Sequence, residues 1–171
     1  MTQSSIRIAK SKLAMIEGKA IEDIIHDKGL ISIMFKEGDD TYELGIMGSM
    51  RFYKDDEFIF ASGDRFQAIN EYFDGEDYVT NPLPWYVKGN NLLDVAIEKH
   101  FASDFSDYIV ERVQVKKFGD LTLHFTNGYT LHTFGAACEH ADHWYFGILG
   151  AEKPLVSVVG IGLDHEMMDR G

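Results

Sequence analysis

Apolar residues fall in short blocks along most of the chain, and in two places they recur at the three-to-four spacing of a helix. The first is Leu13, Ile16, Ala20, Ile21 and Ile24, which predicts an amphipathic helix capped by Ser11 and stopped at Lys28-Gly29. The second is Leu92, Leu93, Ala96, Ile97, His100 and Phe101. Asn91 stands before it as N-cap, and Asp94 lies near the positive end of the helix dipole.

The remaining blocks read as strands. Residues 30–35 and 42–47 flank the turn-rich Glu37-Gly38-Asp39-Asp40 and predict a hairpin. Arg51-Phe52-Tyr53 and Phe58-Ile59-Phe60-Ala61, on either side of Lys54-Asp55-Asp56-Glu57, extend it into a meander. Asp64 is expected to cap a short helix carrying Phe66, Ile69 and Phe73, and Asn81-Pro82-Leu83-Pro84 forces an extended connector. Beyond the second helix, residues 108–115 predict a strand. Residues 121–125 and 129–134 then flank Thr126-Asn127-Gly128, the strongest hairpin turn in the chain. The Gly160-Ile161-Gly162 stretch lacks the third glycine and the following helix of a phosphate-binding turn, so it reads as the close of a final strand.

Phe35, Gly38, Tyr42, Leu44 and Gly48 line up with Phe125, Gly128, Tyr129, Leu131 and Gly135, and Phe58-x-Phe60 then parallels Trp144-x-Phe146. The reading is an α+β fold: a predominantly antiparallel sheet from two similar hairpin or meander units, packed by two main helices. The units, about 9–80 and 90–165, are expected to share one core within a single domain spanning 1–171.

Charge narrows the function. Twenty-eight acidic against sixteen basic residues leave a net charge of −12, which repels phosphate backbones and anionic headgroups. Neither direct nucleic-acid binding nor a membrane role is expected, and no run approaches the roughly 20 apolar residues of a membrane span. The N-terminal region lacks the apolar core of a secretory signal and is expected to be retained. With a single cysteine, Cys138, and no N-x-S/T acceptor, a cytoplasmic address is expected.

Potentially reactive groups are densest at Cys138, His140 and His143, with His124 and His132 on the preceding hairpin. Thiolate and imidazole suit zinc, and the same groups would serve a metal-dependent enzyme if they converged. The plainer account makes Cys138 a small apolar filler and sets His124 and His132 on the polar face of their hairpin. Adjacent acids such as Asp55-Asp56 stay solvated in a turn, so no catalytic residue is assigned and no cofactor is expected.

The acids themselves are unevenly placed. Asp39, Asp40, Asp55, Asp56, Glu57, Asp74, Glu76 and Asp77 all lie in the first unit, with Tyr42, Tyr53 and Tyr72 among them. Aromatic anchors ringed by carboxylates suit a basic protein partner, because the rings supply desolvated contact and the charges speed encounter. Solvated turns at strand ends are the simpler explanation of each cluster taken singly.

The pattern LTLHFTNGYTLHTFG followed by HWYF, echoed by YELGIMG followed by FIF, resembles small bacterial domains of uncharacterised families grouped with the immunity proteins of polymorphic-toxin and contact-dependent inhibition systems. The resemblance covers the two hairpin regions, about half the chain. It implies an acidic cytosolic inhibitor that blocks the active site of a basic toxin, a nuclease among the candidates, and does no chemistry. A structural or small-ligand-binding domain, marked by an apolar pocket with convergent polar groups, is the alternative, and a metal-dependent enzyme is the second.

Overall fold

The computed structural model describes residues 1–70, 83–102, 104–135, 141–160 and 162–163, together with the backbone of 73–74 and 77–78. Helix α1 spans Gln3–Leu13. Thr2 caps it by accepting the Ser5 N–H at 3.0 Å, and Ser5, Ala9 and Leu13 bury one face at helical spacing. A 3₁₀ turn, Ala14–Ile16, and Gly18 at φ +82° then redirect the chain into strand β1, Ile21–Asp27.

The helix expected from Ser11 through Ile24 is therefore corrected, and the reason is a β-bulge. The register of β1 against β2 (Leu30–Glu37) shifts between Ile21 and Asp23, so Ile21 and Ile24 both face the core although they stand three apart. A bulged strand thus imitates helical periodicity. Strand β3 (Asp40–Ile46), β4 (Ser49–Lys54) and β5 (Glu57–Ala61) follow. After β5 the chain makes a 3₁₀ turn, Ser62–Phe66, instead of the expected short helix, with Asp64 Oδ2 accepting the Ala61 N–H at 2.8 Å. Two-residue strands β6 (Phe73–Asp74) and β7 (Asp77–Tyr78) pair with each other.

Helix α2 spans Leu92–Phe101. Asn91 Oδ1 accepts the Asp94 N–H at 2.9 Å, and Leu93, Ile97 and Phe101 point inward. The chain ends its described course in β8 (Val110–Val115), β9 (Leu121–Phe125), β10 (Tyr129–Phe134), β11 (Asp142–Ile148), β12 (Val156–Val159) and β13 (Gly162–Leu163). No described helix is long and apolar enough to cross a membrane.

Two antiparallel sheets result, and each half of the chain contributes to both. One runs β1-β2-β3-β11-β12-β13 and the other β5-β4-β10-β9-β8. Each half starts with a three-stranded meander and then passes into the other half's sheet, so β11 pairs with β3 while β4 pairs with β10. The registers correspond. Ile33 opposes Leu44 as Leu123 opposes Leu131, and β8 carries a bulge between Val110 and Arg112 in the place of the β1 bulge. Ala20 and Ile109, which precede the two bulged strands by the same interval, bridge each other.

One detail of the alignment changes. Leu44 faces Phe146 and Ile46 faces Trp144, as Leu131 faces Phe52 and Thr133 faces Met50. Trp144-x-Phe146 therefore corresponds to Met50-x-Phe52 on β4, not to Phe58-x-Phe60 on β5. Two residues separate β3 from β4 while seven separate β10 from β11, and this unequal spacing displaced the match. Buried side chains of both sheets and both helices join in one core, with Phe52 in ring contact with Phe60, Phe101, Tyr108, Phe125 and Tyr129.

Candidate functional site

Asp39 and Asp40 stand at the β2–β3 turn, and Asp55, Asp56 and Glu57 at the β4–β5 turn, all exposed. The two turns are linked by a run of contacts. Glu37 is ion-paired with Lys19, the neighbouring Ala20 bridges Ile109, and the Ile109 carbonyl accepts the Thr126 N–H at 2.9 Å. The turn begun there brings Gly128 against Lys54 of β4. Among the described residues none of these five carboxylates is in an ion pair.

Of the tyrosines placed among the acids, Tyr53 is half-buried on the outer face of β4, in a cleft with Phe58. Tyr42 is corrected: it is 7% exposed, with its ring 5.5 Å from that of Phe146, and belongs to the core. Tyr72 and Glu76 lie outside the described residues. Asp74 and Asp77 face each other in the β6–β7 register.

An apolar patch that the sequence reading missed lies at the base of this segment. Phe66 is 53% and Tyr86 60% exposed, and Ile69, Leu83 and Val87 are exposed with them. Trp85 meets the Phe66 ring edge-on at 5.1 Å, and hydrogen bonds from Ile69 N–H to Asn90 O (3.0 Å) and from Leu83 N–H to Asn70 Oδ1 (2.7 Å) hold the patch together. The available signal was compositional. From Phe66 to Val87 there is no Lys or Arg, while Glu71, Asp74, Glu76 and Asp77 fall between them. Arg65, just before the patch, is 7% exposed; among the described residues its Nε and Nη1 find no hydrogen-bond partner, and burial lowers its pKa.

Among the described residues, His143 stands apart from His124 and His132. His124 and His132 occupy the outer face of β9 and β10, and the His132 ring stacks on Phe134 at 4.4 Å. Burial lowers the pKa of both, helped by Arg112 at His124 and by Lys116 at His132, with Glu111 and Asp120 respectively pulling the other way. His143 is buried on β11 in the other sheet, and its carbonyl accepts the Met47 and Gly48 N–H groups at 3.0 Å where the chain crosses between sheets. Cys138 and His140 lie outside the described residues. Among the described residues no three of His, Cys, Asp and Glu group so as to hold a metal ion. His26 instead ties β1 to α2: Nε2 donates to Lys28 O at 2.7 Å, and Nδ1 lies 3.4 Å from Asp94.

A polar cleft of about 400 Å³ lies on the outer face of β3, β11 and β12. Gly45 of β3 pairs with Tyr145 of β11, and the ring lies directly over the glycine. Ser32 donates to Glu43 Oε1 at 2.6 Å, and the Tyr145 phenol is hydrogen-bonded to the same carboxylate. Burial, with Glu43 beside it, pushes that phenol up to about 12. Gly147, opposite Glu43, lets Pro154 close in, because an added Cβ would stand 3.0 Å from Pro154 Cα. Two glycines thus admit the ring and the proline that wall the cleft beside the carboxylate. Compared with family models, with curated proteins and with solved structures, the chain matches none of them.

Proposed function

We propose that the protein is a binding protein of immunity or inhibitor type, which masks the active site of a basic protein partner and does no chemistry of its own. The observation that carries the reading is the exposed patch of Phe66, Tyr86 and their apolar neighbours, at the base of a segment whose charges are all negative. Exposed patches of this kind mark interaction sites, and aromatic anchors dominate interface energy. The unpaired acids of the β2–β3 and β4–β5 turns add a field that draws a cation in.

The natural test uses the product of the gene beside its own. Association is measured by surface plasmon resonance at about 50 and about 300 mM salt, since screening weakens steering over this range. Expected are a tight complex, an association rate that falls with salt, and a rate that drops further in Asp55→Lys/Asp56→Lys. Phe66→Ser/Tyr86→Ser should speed dissociation. Absence of binding, or binding indifferent to salt and to all four changes, overturns the proposal.

A further inference from the structure

The cleft beside Glu43 and Tyr145 has a counterpart on the other sheet, and the comparison says what it lacks. By strand register, Tyr145 corresponds to Arg51, Gly45 to His132 and Met47 to Phe134. On that second face the chain supplies its own guanidinium. Arg51 lies over the Phe134 ring at 4.9 Å, in a cleft of about 280 Å³ that Asp55 and Asp56 also line. On the first face the aromatic ring and the carboxylate are present, and among the described residues neither Arg nor Lys is ion-paired with Glu43. Lys153 lines the cleft as well, opposed by Glu43 and Asp142, so its walls keep a net negative charge.

We propose that the cleft on β3, β11 and β12 is a recognition site for a guanidinium group, seated over the Tyr145 ring and hydrogen-bonded to Glu43. Gly45 lets the Tyr145 ring settle over the strand, where it forms part of the cleft wall. Ser32 and the Tyr145 phenol hold the carboxylate in place, and a carboxylate has further lone pairs to offer a ligand. A planar guanidinium satisfies both elements at once, stacking on the ring and giving two parallel N–H bonds to the carboxylate, which an ammonium does not. The volume leaves room for the chain that bears the group. This site does not depend on the acidic turns or the apolar patch.

The probe is methylguanidinium, titrated into the ¹⁵N-labelled full chain at constant ionic strength and followed through the amides of Gly45, Gly147 and Ser157. Saturable shifts confined to this face are expected, with methylammonium binding more weakly. Glu43→Gln should weaken binding about tenfold or more, the size of a lost hydrogen bond to a charged group. Tyr145→Leu should weaken it too, while Tyr145→Phe retains most of it because the ring remains. Asp55→Lys/Asp56→Lys should change nothing, which separates this site from the partner surface. A second arm compares methylguanidinium with an arginine tripeptide. Tighter peptide binding makes the source a protein side chain, and equal binding makes it a free small molecule. Non-saturable shifts, equal response to methylammonium, or indifference to both Glu43→Gln and Tyr145→Leu overturns the proposal.

Discussion

Replacing Gly45 with alanine tests the cleft through stability alone. A glycine inside a strand ordinarily costs about 0.5–1 kcal/mol relative to alanine, because it gives up more backbone freedom on folding. Gly45 has no positive φ to justify it, so the naive expectation for Gly45→Ala is a gain. The structure reverses the sign. The new Cβ would stand 2.3 Å from Cε1 and Cζ of Tyr145 and 2.7 Å from its Oη, so the ring has to leave. Leaving breaks the phenol's bond to Glu43. A hydrogen bond to a charged group contributes about 1.5–3 kcal/mol, and part exposure puts this one toward the lower figure. Lost contact between ring and strand adds about 1 kcal/mol. After the backbone gain is subtracted, Gly45→Ala should destabilise by about 1–2 kcal/mol.

Urea unfolding read as a shift in midpoint at constant m measures this directly. The decisive comparison is the same change in a Tyr145→Ala background, where nothing obstructs the Cβ and alanine should now stabilise by about 0.5–1 kcal/mol. The coupling between the two positions is then about 2 kcal/mol, within the range found for residues in contact. If Gly45→Ala stabilises both backgrounds equally, Tyr145 does not lie over the glycine and the cleft has another floor.

Other perturbations probe other parts of the frame. Asn91 is fully buried, caps α2 and donates to Trp85 O at 2.9 Å; Asn91→Ala loses the cap and strands that carbonyl, so the urea midpoint should fall by the equivalent of about 2 kcal/mol. Arg65→Met removes a buried guanidinium with two nitrogens unpartnered among the described residues and should be neutral or stabilising by up to about 2 kcal/mol, whereas a clear loss in thermal midpoint would mean that the charge is paired. Burial lowers the pKa of His100, His124 and His132 from 6.5, against an opposing pull from Glu57 on His100, so the unfolded chain binds the extra protons. Their stability contribution is complete above about pH 6.5 and drains away as pH falls toward the folded values; unfolding midpoints should drop between about pH 7.5 and 5.5, less steeply in the triple His→Gln variant.

Local chemistry made most of the strands legible. Asn127-Gly128 and Gly38 announce turns whose glycines take positive φ, and Asn91 announces a helix start, all within a few residues. The first helix was misread because a bulge in β1 spaces buried isoleucines by three. Tyr42 was misassigned against a signal in plain view, since it stands two residues before Leu44 and therefore on the core face of β3. The exchange of strands between halves, and with it the cleft, was not legible. Gly45 and Tyr145 meet only through the β3–β11 ladder, and no local pattern encodes that pairing.

The internal correspondence also sorts the glycines by purpose. Gly38 and Gly128 both take positive φ in equivalent turns, and Gly48 and Gly135 both sit at the crossing between sheets. An added Cβ would come within 3.2 Å of Phe134 O at Gly48, and within 2.5 Å of the His143 ring at Gly135. Glycine present in both halves therefore serves the frame. Gly45 and Gly147 are different, because their counterparts by register are His132 and Tyr53. The same strand positions accept large side chains on the other sheet, so the backbone does not demand glycine there. The two glycines lie on one face beside Glu43; Gly147 lines the cleft, and Gly45 lies under Tyr145, which lines it too. Glycine is demanded there by neighbours found on that face alone, Tyr145 over Gly45 and Pro154 against Gly147, and both of those neighbours wall the cleft.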